Sequence, residues 1–209
     1  MQYLNQLLPA QLQNKLQLSW DSVRSNVDES VLSNKELEWF STFSDEGRKA
    51  EFLVGRYLAK EIAGKMGMQP DELVIQKDEE GKPVAAYQGK EYFLSLSHSD
   101  EKVLCALSAE LPVGVDIEPT NRQITTELRE RIMSDDEVQT LQGVNTLRIW
   151  TMKEALLKLY GKKLGSSLRE CVINPSDTDI YESEVKEQVK VNVFSQKYEN
   201  YWVAIAWQS

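Results

Sequence analysis

Trp150-Thr151-Met152-Lys153-Glu154-Ala155-Leu156-Leu157-Lys158 is the stretch around which the rest of the chain can be ordered. Ile149, Met152, Leu156 and Leu159 recur at intervals of three and four, the apolar stripe of a helix. Glu154 and Lys158 are four apart, so they stack one turn above the other, off that stripe. Taken alone, they read as a solvated pair contributing about 0.3 kcal/mol.

A second stretch changes that reading. In Val113-Gly114-Val115-Asp116-Ile117-Glu118-Pro119 the apolar residues alternate with Gly114, Asp116 and Glu118, the period of a half-buried strand. Asp116 and Glu118 therefore share a face, about 7 Å apart along the strand. Pro119 removes a backbone donor and ends the strand at a sheet edge or rim. Carboxylates this close repel unless a positive charge lies between them. Oxygen ligands suit a hard cation, and magnesium commonly takes one or two carboxylates plus substrate phosphates. A strand with a polar outer face remains the alternative.

The 209 residues carry a net charge of −9 with 41% hydrophobic residues, enough for one large domain or two small ones. That acidity argues against a general nucleic-acid binder, though a local basic pocket for a small anion is compatible with it. Cys105 and Cys171 lie in apolar strand-like runs and read as buried free thiols. With one histidine and two cysteines, no zinc cluster can be assembled. The N-terminus lacks the basic start and apolar core of a signal peptide. The longest apolar run, Tyr201 to Trp207, is too short for a bilayer, so a soluble cytoplasmic protein is expected.

Before residue 33 the pattern is weak: Leu4, Leu8, Leu12 and Leu16 share a spacing of four, but Pro9 interrupts any helix. Ser33-Asn34-Lys35-Glu36 is a capping-box pattern, and Ser44-Asp45-Glu46 reads as a second helix start with a hydroxyl cap. That second helix is expected to run to about Met66, with Gly55 in its interior suggesting a close approach there. Arg48 and Arg56 lie roughly 12 Å apart along it, either as solvated charges or as a phosphate clamp. Asp78 to Pro83 is a charged turn, and strands follow at 92–96 and 103–107. Ser97-His98-Ser99 lacks the spacing of a hydrolase nucleophile, and neighbours on a strand point apart, so no triad is expected. Ser134 to Glu137 is another capping box, which gives Glu137 a structural role. The helix of the opening stretch should span about Thr146 to Tyr160 with Gly161 at its end. Strands are expected at 170–173, 184–194 and 201–207.

In order, Gly81-Lys82-Pro83, Ser97-His98-Ser99, Gly114-Val115-Asp116-Ile117-Glu118-Pro119 and Trp150…Lys153-Glu154-Ala155…Lys158 resemble the larger, roughly 200-residue-plus class of 4′-phosphopantetheinyl transferases. The segment Arg48 to Arg56 is similar to the arginine-bearing helix of their siderophore-associated branch. The resemblance covers residues 48 to 158, and its Asp116/Glu118 and Glu154/Lys158 elements are the specific ones. It implies an α+β fold of two similar lobes related by a pseudo-twofold axis, residues 1–108 and 109–209, with the active site in the cleft between them. It also implies transfer of 4′-phosphopantetheine from coenzyme A to a serine of an apo acyl or peptidyl carrier protein. Asp116, Glu118 and Glu154 would hold magnesium, with manganese an alternative, and Glu154, Lys158 and Asp116 would be catalytic. Arg48, Arg56, Lys82, Pro83, Ser97, His98, Lys153 and Lys158 would contact the coenzyme, and Glu137 corresponds to an acid sometimes near the metal. A monomer is expected, with Arg148, Lys162 and Lys163 as candidate carrier-docking charges and no nucleic-acid or membrane partner. Another magnesium-dependent phosphotransfer enzyme, or a non-catalytic coenzyme or carrier binder, are the alternatives.

Overall fold

The computed structural model describes residues 1–23, 26–79, 81–161, 168–176, 179–185 and 189–208. The chain forms two compact units, Met1–Glu110 and Leu111–Ser209, both α+β. Among the described residues no helix is long and apolar enough to cross a membrane.

The first unit contains strands β1 (Gln2–Tyr3) and β2 (Leu16–Ser22), helices α1 (Asn34–Phe40) and α2 (Glu46–Lys65), and strands β3 (Val74–Lys77), β4 (Pro83–Tyr87), β5 (Lys90–Ser99) and β6 (Lys102–Ser108). The sheet runs β1-β2-β6-β5-β4-β3, and each neighbouring pair is antiparallel. Val54, Leu58, Ala59 and Ile62 of α2 join Ile75, Ala85, Leu94, Val103, Cys105 and Leu107 of the sheet in one core. The α1 start is the expected capping box, with Ser33 and Glu36 bonded reciprocally. At α2 the cap is Asp45, not Ser44: its carboxylate accepts from the Arg48 amide at 2.7 Å. An ionised acid at a helix N-terminus also meets the positive end of the macrodipole.

Leu4, Leu8, Leu12 and Leu16 are all buried and share no helix, in keeping with Pro9: Leu4 precedes a short 3-10 turn, and Leu16 opens β2, a strand the leucine spacing did not suggest. That strand, placed between β1 and β6, follows the alternation of Leu16, Leu18 and Trp20 with Gln17, Ser19 and Asp21. Gly55 has only ordinary contacts, since a Cβ there would lie 3.6 Å from Leu96.

The second unit runs β7 (Val113–Pro119), α3 (Thr126–Ile132), α4 (Asp135–Thr140), α5 (Thr146–Leu159), β8 (Val172–Asn174), β9 (Ile180–Val185), β10 (Val189–Tyr198) and β11 (Tyr201–Gln208). Its antiparallel sheet is ordered β7-β11-β10-β9-β8. The single strand expected over 184–194 is instead two, paired so that Val189 stands opposite Val185. Helix α5 buries Ile149, Met152, Ala155 and Leu156 against Val191, Val193, Ala204 and Ala206. It closes as expected, with Tyr160 as its cap and Gly161 at a φ of 70°.

Strand β7 lies at the sheet edge, where Pro119 costs no ladder bond. It is buried throughout rather than half-buried. The reason is Gly114: a Cβ there would lie 2.1 Å from the Ala155 carbonyl oxygen and 2.4 Å from the Leu159 amide nitrogen. Only glycine lets the strand approach the α5 backbone this closely.

Candidate functional site

Backbone proximity of β7 and α5 determines what the second unit can do chemically. Asp116 and Glu118 on the strand and Glu154 on the helix are all buried, with 4%, 6% and 8% exposure. Burial is the largest cause pushing the Glu154 carboxyl up to about 7, followed by the charge of Asp116; Lys158 pulls the other way, and Glu118 adds a smaller push. The charges of Asp116 and Glu118 therefore both act on Glu154. Glu154 Oε1 is buried with no hydrogen-bond partner among the described residues.

Cations of the same unit offset this negative charge. Lys158 Nζ is 2.6 Å from Asp116 Oδ1, so Lys158 reaches the strand rather than pairing with Glu154 along its own helix. Glu118 Oε1 accepts from Arg122 Nη1 at 2.5 Å and from Trp150 Nε1 at 3.1 Å. As these side chains stand, no three described His, Cys, Asp or Glu residues form a ready-made metal cage. The donor chemistry nevertheless fits a hard divalent cation: oxygen ligands only, excess negative charge, and a buried carboxylate oxygen lacking a donor.

Lys153, expected among the phosphate-facing cations, is placed elsewhere. Its ammonium has no exposed surface and bonds the Glu137 carboxylate at 2.6 Å, the Ile132 carbonyl at 2.5 Å and the Leu168 carbonyl at 3.1 Å. All three donors of the ammonium are thereby used. Burial lowers its pKa, and the bond to Glu137 opposes that shift. Glu137 is equally committed: Oε2 also accepts from the Ser134 amide, and Oε1 accepts from the Ile173 amide at 2.8 Å. Both side chains are committed to contacts inside the unit. Arg148 donates to the Ser195 carbonyl and lies 5.4 Å from the rings of Tyr181 and Trp202. It is a packed cation, not a free rim charge, while Lys162 and Lys163 lie outside the described residues.

The first unit holds a pocket of about 280 Å³ that gathers Arg48, Arg56, Gly81, Pro83, Ser97 and His98. Arg56 is buried, with Nε 2.6 Å from Glu36 Oε1 in an ion pair whose N–H is not aligned as a hydrogen bond. Its guanidinium lies 4.2 Å from the Phe52 ring centroid and 4.9 Å from that of Trp39. Nη2 has no hydrogen-bond partner among the described residues, which leaves a buried donor suited to an anion. Burial is the largest cause lowering the Arg56 pKa, and Glu36 counters it. His98 Nδ1 is 3.2 Å from Glu51 Oε2, an ion pair once the imidazole is protonated. Lys82 itself is not in the pocket lining, although its neighbours are; its amide donates to Asp78 Oδ1 at 2.8 Å and shapes the turn. Gly81 takes a φ of 85° there, the left-handed conformation the turn requires.

Sequence reasoning missed Glu36 as the partner of Arg56, Lys77 and Trp39 in the pocket, and Arg122 and Trp150 as the partners of Glu118. Only the Glu118–Arg122 spacing of four carried a local signal, and Pro119 obscured it.

A family model described as the 4′-phosphopantetheinyl transferase superfamily matches residues 112–206. The chain is 29% identical over 150 residues to the 4′-phosphopantetheinyl transferase gsp of Aneurinibacillus migulanus, covering 68% of this chain and 60% of that protein. It is 34% identical over 124 residues to the 4′-phosphopantetheinyl transferase psf-1 of Bacillus pumilus, covering 56% and 52%. The chain thus spans less than two thirds of the length of either relative. With the holo-[acyl-carrier-protein] synthase of Staphylococcus carnosus (strain TM300) it shares 34% identity over 84 residues, 37% of this chain and 72% of that protein. The matched residues include both β7 and α5, the elements that bring the three acids together, and the chain belongs to the 4′-phosphopantetheinyl transferase superfamily.

Proposed function

We propose that this protein transfers the 4′-phosphopantetheine group of coenzyme A to a serine of an apo acyl or peptidyl carrier protein, releasing adenosine 3′,5′-bisphosphate. The observation that carries this reading is the trio Asp116, Glu118 and Glu154, buried and mutually repelling in the second unit. In this reading they hold magnesium, or manganese, which when bound would neutralise charge on the diphosphate oxygens.

The residues then have distinct tasks. The serine oxygen forms a bond to the β-phosphorus as the bond from that phosphorus to the nucleotide's 5′-phosphate breaks. Glu154, buried beside Asp116 and Glu118, would accept the serine proton and pass it to solvent. Lys158, paired with Asp116 and with its side chain 31% exposed, would add a point charge toward the phosphates. Arg48, Arg56, Ser97 and His98 would bind the 3′-phosphate, with the Gly81-Lys82-Pro83 turn against the adenine. Support comes from the buried Arg56 Nη2, without a hydrogen-bond partner among the described residues, and from the pocket that gathers these elements.

The finer architecture is part of the proposal: two pseudo-twofold lobes, 1–108 on the nucleotide side and 109–209 on the metal side, sharing one coenzyme. Because one chain carries both residue sets, we read it as a monomer acting in the cytoplasm. Intact-mass measurement of apo carrier proteins incubated with this protein, coenzyme A and magnesium tests the activity. A phosphopantetheinyl mass gain, lost on chelation and in Asp116→Ala, is expected; no gain on any carrier overturns it.

A further inference from the structure

Among the pocket residues, Lys77 is the cation that neither the motifs nor the resemblance anticipated. It ends β3 as an exposed residue, and its ammonium lies 3.6 Å from the centroid of the Trp39 ring. The same ring carries the Arg56 guanidinium at 4.9 Å. Trp39 is itself held edge-on by Phe52, with centroids 5.0 Å apart. An aromatic face attracts a cation through its quadrupole, and indole does so best. Two cations at one ring still repel each other, and Arg48 lines the same pocket. Glu51 also lines the pocket and Glu36 pairs with Arg56, within a chain that as a whole stands at −9.

We propose that Lys77 is a further specificity-determining residue, a cation preset by Trp39 to meet the terminal phosphomonoester of a nucleotide held by Arg48 and Arg56. The proposal rests on the reading of this pocket as the coenzyme's nucleotide site. A phosphomonoester dianion gains more from a third cation than a singly charged group does. Lysine suits the role because its ammonium is a compact charge with three rotatable donors, able to leave the ring face for a phosphate oxygen. Trp39 is the positioning residue: it holds the ammonium in the pocket before the ligand arrives.

Calorimetric binding of coenzyme A and of 3′-dephospho-coenzyme A to the full chain tests this, since the two ligands differ only in that phosphate. Lys77→Gln should weaken coenzyme A about tenfold and the dephospho form less than about twofold. Lys77→Arg should restore most of the preference, and Trp39→Leu combined with Lys77→Gln should cost less than the two losses added. Equal weakening of both ligands, or of neither, overturns the role of Lys77. If Arg48→Gln erases the preference while Lys77→Gln leaves it, the pocket reading survives and the Lys77 proposal falls. If the wild-type protein shows no preference, both fall.

Discussion

Lys153 Nζ lies 2.6 Å from Glu137 Oε2 in a pair with no exposed surface on either side chain. Breaking such a pair by removing one partner leaves an uncompensated buried charge and costs about 3–5 kcal/mol. Lys153→Met should therefore lower the urea midpoint strongly while leaving the coenzyme affinity of the remaining folded protein unchanged. Lys158→Met should do the reverse, because its side chain is 31% exposed beside Asp116. Urea unfolding and calorimetry on the two variants separate the roles.

The two helix-packing glycines should respond with opposite signs. Gly114→Ala puts a carbon 2.1 Å from the Ala155 carbonyl, and neither backbone can yield without parting strand from helix. A loss of about 3 kcal/mol, at the upper end for overpacking, is expected. Gly55→Ala meets Leu96 only at 3.6 Å, inside α2, so it should gain up to about 1 kcal/mol from helix propensity. Thermal melting of both variants checks the pair.

Metal dependence should appear in stability as well as in turnover. A divalent ion bound by the folded protein at a hundred times its Kd adds about 2.7 kcal/mol. Magnesium should raise the melting temperature of the wild type and not that of Glu154→Gln or Asp116→Ala. Scanning fluorimetry with and without chelator reads the difference. An equal shift in all three proteins contradicts the assignment of these acids.

Cys105 supplies a pH signature away from the acids. Burial pushes its thiol well above the ordinary range, and the nearby Arg56 only partly counters this. A raised folded pKa means the contribution to stability is whole below the unfolded value, about 8.5, and is lost as pH rises above it. The urea midpoint should fall between pH 8 and pH 10, with a smaller fall in Cys105→Ala. In the native state at pH 8 the thiol should resist alkylation, since the thiolate is the reactive form.

The parts of the fold that were legible are those written in local periods. The strand bearing Asp116 and Glu118, the helix bearing Glu154 and Lys158, and both capping boxes follow from spacings of two, three and four. What escaped is set by residues far apart in the chain. Glu36 meets Arg56, Trp150 meets Glu118, and Lys153 turns inward to Glu137, none of which a window of a dozen residues contains. Glycine shows the limit well: the sequence singled out Gly55 because it interrupts a helix, whereas the constraint falls on Gly114. The need for a missing Cβ is decided by whatever stands opposite. Strand β2 was missed although its alternation is plain, because the leucine spacing before it suggested a different period.

One carboxylate in the first unit answers to two masters. Glu36 accepts from the Ser33 amide at 3.0 Å and hydroxyl at 2.9 Å through one oxygen, and faces Arg56 through the other. In the proposed reading an anion on Arg56 Nη2 would share the guanidinium with Glu36 on Nε, so its arrival would be felt at the root of α1. The neighbouring indole of Trp39, on that same helix, makes the event observable as a change in its emission without any label.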